Sequence, residues 1–213
     1  MLTVHHLNMS QSERIVWLCE ELAIPYALVV HARDPVTRLA PPAYKALHPQ
    51  GTAPVIEDDG RVLAESGAIV EYIIARHGNG RLAVKPDQPD YADYLYWLHF
   101  ANGSMMPNEL MRLVGGLLDP ELENPIMQIL VARSDTAWTM IEARLGEVPY
   151  FAGGDLTAAD IMNVFPLSTM RAIAPRDLAP FPHIRAYLRR IGERPAYRRA
   201  MAKGDPGMPL MLD

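Results

Sequence analysis

Residues 48–73 read HPQGTAPVIEDDGRVLAESGAIVEYI, a strand–turn–strand–helix pattern. Ala53-Pro54-Val55-Ile56-Glu57 and Arg61-Val62-Leu63-Ala64 are β-rich runs on either side of Asp58-Asp59-Gly60. Asp-Gly supplies the positive φ values that a tight hairpin turn needs. A helix follows from Ser66 to about His77, with Ile69, Tyr72 and Ile73 on one face. Pro54 stands at the start of a strand, where proline is tolerated, and an X-Pro bond is the usual place for a cis peptide.

Upstream of this ββα segment, Leu2 to Leu7 is a short apolar strand and Ile15, Leu18 and Leu22 recur at helical spacing. Ile24-Pro25 ends that helix, and Tyr26 to His31 reads as a second strand. Strand, helix and strand within so short a stretch make a βαβ unit with a parallel pair. The order βαβ then ββα predicts one compact α/β layer over residues 1–79. Between the two halves, Asp34 to Leu47 carries three prolines and a short helix from Ala43. Downstream, residues 80–89 are rich in Gly, Pro and polar side chains and read as a linker. Residues 90–213 read as an all-α helical domain, with helices at about 90–117 (kinked by Pro107), 121–146, 157–173, 182–192 and 195–202. Thr157-Ala158-Ala159-Asp160 fits an N-terminal capping pattern, with Leu156 and Ile161 where a hydrophobic staple lies.

Composition narrows the function. The chain has 213 residues, 49% apolar and 21% charged, with a formal net charge of −5. That is a soluble globular balance with no basic face for a nucleic-acid backbone. No apolar run approaches the ~18 residues of a membrane span, and no secretory leader is expected. The lone cysteine, Cys19, permits no intrachain disulfide and points to a reducing cytoplasm. The seven histidines show no metal-ligand spacing, so no metal is expected.

Three junctions could carry chemistry. Ser10-Gln11-Ser12-Glu13 sits where the first strand turns into the first helix. It reads either as a capping box or as a hydroxyl at the strand's C-terminal edge, where ligands bind open α/β sheets and helix amides favour an anion. Gln50 to Val55 reads either as strand punctuation or as backbone at Ala53 held outward for an extended peptide ligand. Glu65-Ser66 reads either as a solvated charge beside an N-cap or as a pair that takes the ammonium and carboxylate of an amino-acid head group.

Taken in order, these motifs resemble the glutathione transferase superfamily. Residues 48–73 are similar to its glutathione-site segment, SERIVWLCEEL (12–22) to its first helix, and Gly153-Gly154-Asp155-Leu156 with Thr157–Asp160 to the capping motif of its C-terminal domain. The resemblance implies a thioredoxin-like N-terminal domain, a helical C-terminal domain carrying an electrophile-side pocket, a cytoplasmic homodimer, and glutathione as co-substrate. Residue by residue it makes Ser10 the catalytic serine of a bacterial, serine-type class, with Ser12 and Asn8 as fallbacks. Thr52, Ala53 and Pro54 would hold the cysteinyl backbone, and Glu65 and Ser66 the γ-glutamyl group. His5-His6-Leu7-Asn8 stands where tyrosine-type classes place their tyrosine, which excludes that mechanism. Tyr94, Trp97, Met105 and Met106 are candidates for the electrophile pocket, although an aromatic and Met stripe is more often core. The implied reaction is thiolate conjugation to a hydrophobic electrophile, as in detoxification. Glutathione-dependent disulfide or peroxide reduction and a non-catalytic binding module are the alternatives on the same scaffold.

Overall fold

A computed structural model describes residues 1–213. Four strands, β1 (Thr3–Leu7), β2 (Ala27–His31), β3 (Val55–Asp58) and β4 (Arg61–Ala64), form one mixed sheet in the order β2-β1-β3-β4. β1 pairs in parallel with β2, Thr3 facing Ala27, and antiparallel with β3, Thr3 facing Glu57. The βαβ and ββα readings are therefore correct. At the hairpin tip Asp59 and Gly60 have φ of 49° and 76°, the pair of positive values that a type I′ turn requires. Val4 and His6 on the central strand β1 are fully buried, whereas Val29 and Val30 on the edge strand β2 are exposed.

Helix α1 (Glu13–Leu22) buries nearly every residue it has. A short helix, α2 (Pro42–Lys45), precedes the hairpin, and α3 (Ser66–Arg76) follows it. The helical part begins with α4 (Tyr91–Phe100), which passes through a π-helical turn at Ala101–Met105 into α5 (Met106–Leu118). The wide turn stands where the kink was expected. Pro107 brings no N–H, and its ring would crowd the carbonyl four residues back in a regular helix. Next come α6 (Pro125–Glu147), α7 (Ala158–Leu167), α8 (Pro182–Glu193) and α9 (Pro195–Gly204). The α7 capping box is formed: Thr157 N–H donates to Asp160 Oδ2 at 2.8 Å, and the Thr157 hydroxyl oxygen accepts at the helix start. Leu156 and Ile161 are both buried.

The chain divides into two compact units, Met1–Ala83 with Ile191–Leu210, and Val84–Arg190 with Met211–Asp213. The expectation that residues 90–213 form one domain thus differs at its end: α9 and the segment after it pack in the first unit. α9 lies against α1, where Tyr197 meets Trp17 edge-to-face at 5.2 Å. The Glu20 carboxylate takes Arg199 Nε at 2.9 Å, Tyr26 Oη at 2.7 Å and Lys203 Nζ. Charge-bearing side chains on one helix face gave no signal of this partner, because such a face reads as solvated.

In the second unit Glu109 is buried. Its carboxylate accepts from Trp138 Nε1 at 2.8 Å, from the Arg112 guanidinium at 3.1 Å, and from Ser134 Oγ and Arg176. No helix is long and apolar enough to cross a membrane.

Candidate active site

The turn from β1 into α1 is held in an unusual shape. Met9 has φ of 51°, a region that costs a non-glycine residue about 1–3 kcal/mol unless its surroundings impose it. Arg33 imposes it: Nε donates to the Asn8 carbonyl at 2.8 Å and Nη2 to the Met9 carbonyl at 3.3 Å. Asp205, in the segment after α9, closes the turn from the other side. Its Oδ1 accepts from Met9 N–H and from Asn8 Nδ2, each at 3.0 Å. The second Asn8 amide hydrogen bond goes to the Gly204 carbonyl at 3.0 Å. The Asn8 amide donors are thus engaged within the protein.

Ser10 and Ser12 are both buried, at 6% and 0% exposure. The expected Ser10–Glu13 capping box does not form as such. Ser10 Oγ accepts from Ser12 N–H at 3.2 Å, the Ser10 carbonyl takes Glu13 N–H at 3.1 Å, and the cap residue Ser12 makes no side-chain cap bond. Ser12 Oγ instead accepts from Leu7 N–H at 3.0 Å and lies 2.9 Å from His6 Nδ1 and 2.8 Å from Ser10 Oγ. Ser12 is sealed inside. Ser10 is the outer of the two hydroxyls.

The Ala53–Pro54 bond is cis, at the entrance to β3. Thr52 is exposed and Ala53 half-buried. Glu65, immediately before α3, has φ 69° and ψ 112°, again a conformation that non-glycine residues seldom hold. Gln50 Nε2 donates to Glu65 Oε1 at 3.1 Å. Ser66 is buried and accepts from Arg14 Nη1 at 3.2 Å. Arg14 also donates to Gln11. Its guanidinium is 1% exposed, and burial pushes its pKa down to about 9. Thus one buried cation joins the start of α1 to the start of α3. A cavity of about 370 Å³ adjoins the Asn8–Met9 turn, lined in part by Arg33, Arg38, Asp205 and Met208.

The electrophile-side candidates lie on α4, the π-helical turn and the start of α5. Tyr94, Trp97, Met105 and Met106 are all buried. Trp97 packs on Phe100 and Phe151, and Met106 clusters with Phe165, Met170 and Ala174. Tyr96 and Met111, at 49% and 44% exposure, are the members of that stripe that face outward. Cys19 is buried, and burial raises its thiol pKa, so it is inert as a nucleophile. No group of three or more His, Cys, Asp or Glu is arranged to hold a metal.

The residues that sequence reasoning missed are His6, Arg14, Arg33 and Asp205. The His5-His6 pair stood out only as a missing tyrosine, and nothing in the spacing links positions 199 residues apart.

Residues 8–76 match the model of the glutathione S-transferase N-terminal domain, and residues 121–190 that of the C-terminal domain. Glutathione S-transferase 3 of Schizosaccharomyces pombe is 34% identical, over 95% of this chain and 88% of that protein. A crystal structure of a glutathione S-transferase from Actinobacillus pleuropneumoniae superposes with a TM-score of 0.88 at 34% identity, covering 96% of this chain and 93% of that one. A theta class enzyme from Xanthomonas axonopodis pv. citri with glutathione bound gives a TM-score of 0.70 at 25% identity, covering 93% and 96%. With both domain models matched and the similarity running along nearly its whole length, the chain belongs to the glutathione S-transferase family.

Proposed function

We propose that this glutathione transferase activates its co-substrate through Ser10, whose hydroxyl donates a hydrogen bond to the glutathione thiolate at the start of α1. The observation that carries this reading is the Arg14 bridge to Gln11 and Ser66, because it holds the thiol end and the γ-glutamyl end of one ligand in a common frame. In this reading the Thr52 and Ala53 backbone pairs with the cysteinyl residue beside Pro54. Ser66 and the first amides of α3 take the γ-glutamyl carboxylate, and Glu65, steadied by Gln50, takes its ammonium. Arg38, at the rim of the 370 Å³ cavity, suits the remaining carboxylate.

A free thiol of pKa ~8.5 is only a few per cent ionised at pH 7, and each unit of depression needs about 1.4 kcal/mol of differential stabilisation. A charge-assisted hydrogen bond and the positive end of a helix supply about that much each. The thiolate then attacks an electrophilic carbon, its sulfur forming the new bond as the leaving group departs.

Leu110, Val114, Leu117 and Leu118 form an exposed apolar stripe on α5, with Ile126 and Ile129 exposed on α6. A second copy covering this face would give a homodimer. The buried single cysteine is compatible with a cytoplasmic setting. The test is Ser10→Ala. Conjugation of an aryl halide should fall at least ~100-fold, the scale for removing one donor to a developing anion, while calorimetry still registers glutathione. Unchanged turnover would overturn the assignment.

A further inference from the structure

Four buried side chains stand in line in the first unit. Asp205 Oδ2 is 2.9 Å from His6 Nε2, His6 Nδ1 is 2.9 Å from Ser12 Oγ, and Ser12 Oγ is 2.8 Å from Ser10 Oγ. We propose that this line is a proton relay: when glutathione binds, its thiol proton is taken inward through Ser10 and Ser12 and stored on His6, whose imidazolium is paired with Asp205. The proposal rests on Ser10 being the residue that meets the sulfur.

The directions follow from counting hydrogens. Asp205 Oδ1 accepts from Asn8 Nδ2 and Met9 N–H. Burial pushes its carboxyl up, but its hydrogen bonds outweigh that and hold it below the usual range. The carboxylate therefore brings no proton, and His6 Nε2 supplies the hydrogen of its 2.9 Å contact with Oδ2. Neutral His6 then has a lone pair on Nδ1, which at 2.9 Å takes the Ser12 hydroxyl hydrogen in preference to the Leu7 carbonyl at 3.4 Å. With its one hydrogen spent, Ser12 Oγ can only accept, and it does so from Leu7 N–H and from the Ser10 hydroxyl. Ser10 in turn accepts Ser12 N–H. In this resting state the Ser10 hydrogen points inward, and a thiol arriving at Ser10 meets a lone pair.

Formation of the thiolate therefore shifts every proton by one place. The S–H bond breaks and its proton bonds to Ser10 Oγ. The Ser10 proton moves to Ser12 Oγ, and the Ser12 proton moves to His6 Nδ1. Sulfur keeps its electron pair, and Ser10 now donates to it. The positive charge rests on His6 beside Asp205, and the proton leaves with the departing group when the conjugate is released. Ser12, with 0% exposure, can touch no substrate, so it and His6 and Asp205 act through Ser10. The other titratable groups nearby lie off the line. His5 and His31 are bonded to one another at 3.1 Å, His5 also to Glu57, and Arg33 acts on Asp205 only through its charge.

The test counts protons. Thiolate formation on glutathione binding is read from its ultraviolet absorbance, and proton release from the dependence of binding heat on the ionisation enthalpy of the buffer. Wild-type protein should form thiolate with no net proton released, whereas Ser12→Ala should release one proton for each thiolate it still forms. Asp205→Asn should move the pH at which the bound thiol ionises upward by about a unit, which is tenfold less thiolate below it. One proton released per thiolate by the wild-type protein would overturn the relay. If Ser10→Ala leaves the thiolate signal intact, the Ser10 assignment itself fails. If Ser10→Ala abolishes the signal while the wild type sheds its proton, Ser10 stands and the relay falls.

Discussion

Gly204 backs directly onto the imidazole of His6: a Cβ at this position would stand 2.9 Å from His6 Nε2 and 3.2 Å from two ring carbons. The ring has no room to yield, since it is fully buried and held at both nitrogens. Gly204→Ala should lower stability by about 1–3 kcal/mol, the usual cost of overpacking, and should impair thiolate formation. Urea unfolding of the variant beside the parent measures the first effect, and a midpoint within error of the parent would refute it.

Arg14 ties two helix starts together from a buried position. Arg14→Ala should raise the KM for glutathione about tenfold or more and cost about 2–4 kcal/mol of stability, because Ser66 and Gln11 lose a charged partner. Arg14→Lys should not restore either property, since both bonds leave Nη1 at the far end of the guanidinium, beyond the reach of the shorter lysine side chain. Steady-state kinetics and thermal melting separate the two effects.

Glu65 holds φ 69° while carrying a carboxylate assigned to the ligand ammonium. Glu65→Gly relieves the backbone and deletes the charge. The expected result is a melting temperature equal to or above the parent's together with a KM for glutathione raised at least ~10-fold. A drop in both stability and affinity would show that Glu65 serves the fold instead.

Asp160 gives a pH trend with a definite sign. Burial raises its pKa from 3.8 to about 6, against hydrogen bonds from Phe151, Thr157 and Tyr187. A folded-state pKa above the unfolded one means the contribution is fully present below pH 3.8 and is lost as pH rises through about 6. The loss is about 3 kcal/mol at 1.4 kcal/mol per unit. Asp58, Glu20 and Asp205 have lowered pKa values and act in the opposite direction. The measurement is therefore the stability difference between wild type and Asp160→Asn across that range. A difference that does not change with pH would contradict the assignment.

Glu109 neutralises Arg112 and Arg176 inside the helical unit. Glu109→Ala should destabilise by about 3–5 kcal/mol, as expected when one partner of a buried ion pair is removed. A lowered denaturation midpoint with unaltered KM for glutathione is the expected pair of results.

Local patterns made most of the fold legible. Asp59-Gly60 marks the hairpin, Pro54 the strand entrance, and Thr157–Asp160 the capping box, since each works through neighbours in sequence. The proposed site residues Ser10, Glu65 and Ser66 lie at strand–helix junctions, which periodicity locates. What escaped was whatever depends on distant chain segments. Asp205 meets His6 and Asn8 only because α9 packs against α1, and the half-exposed Arg199 and Lys203 on α9 are bonded to Glu20. Helical spacing at 94–111 marked apolar faces but did not tell the buried Tyr94, Trp97, Met105 and Met106 from the exposed Tyr96 and Met111.

The first unit is made from two stretches of chain, Met1–Ala83 and Ile191–Leu210, with Val84–Arg190 of the helical unit translated between them. A nascent chain emerging from the ribosome therefore presents β1, α1 and the hairpin long before Asp205 and Tyr197 exist to complete them. Until then the face of α1 that carries Trp17 stays uncovered, so this half of the protein can finish folding only after synthesis has passed through the other half.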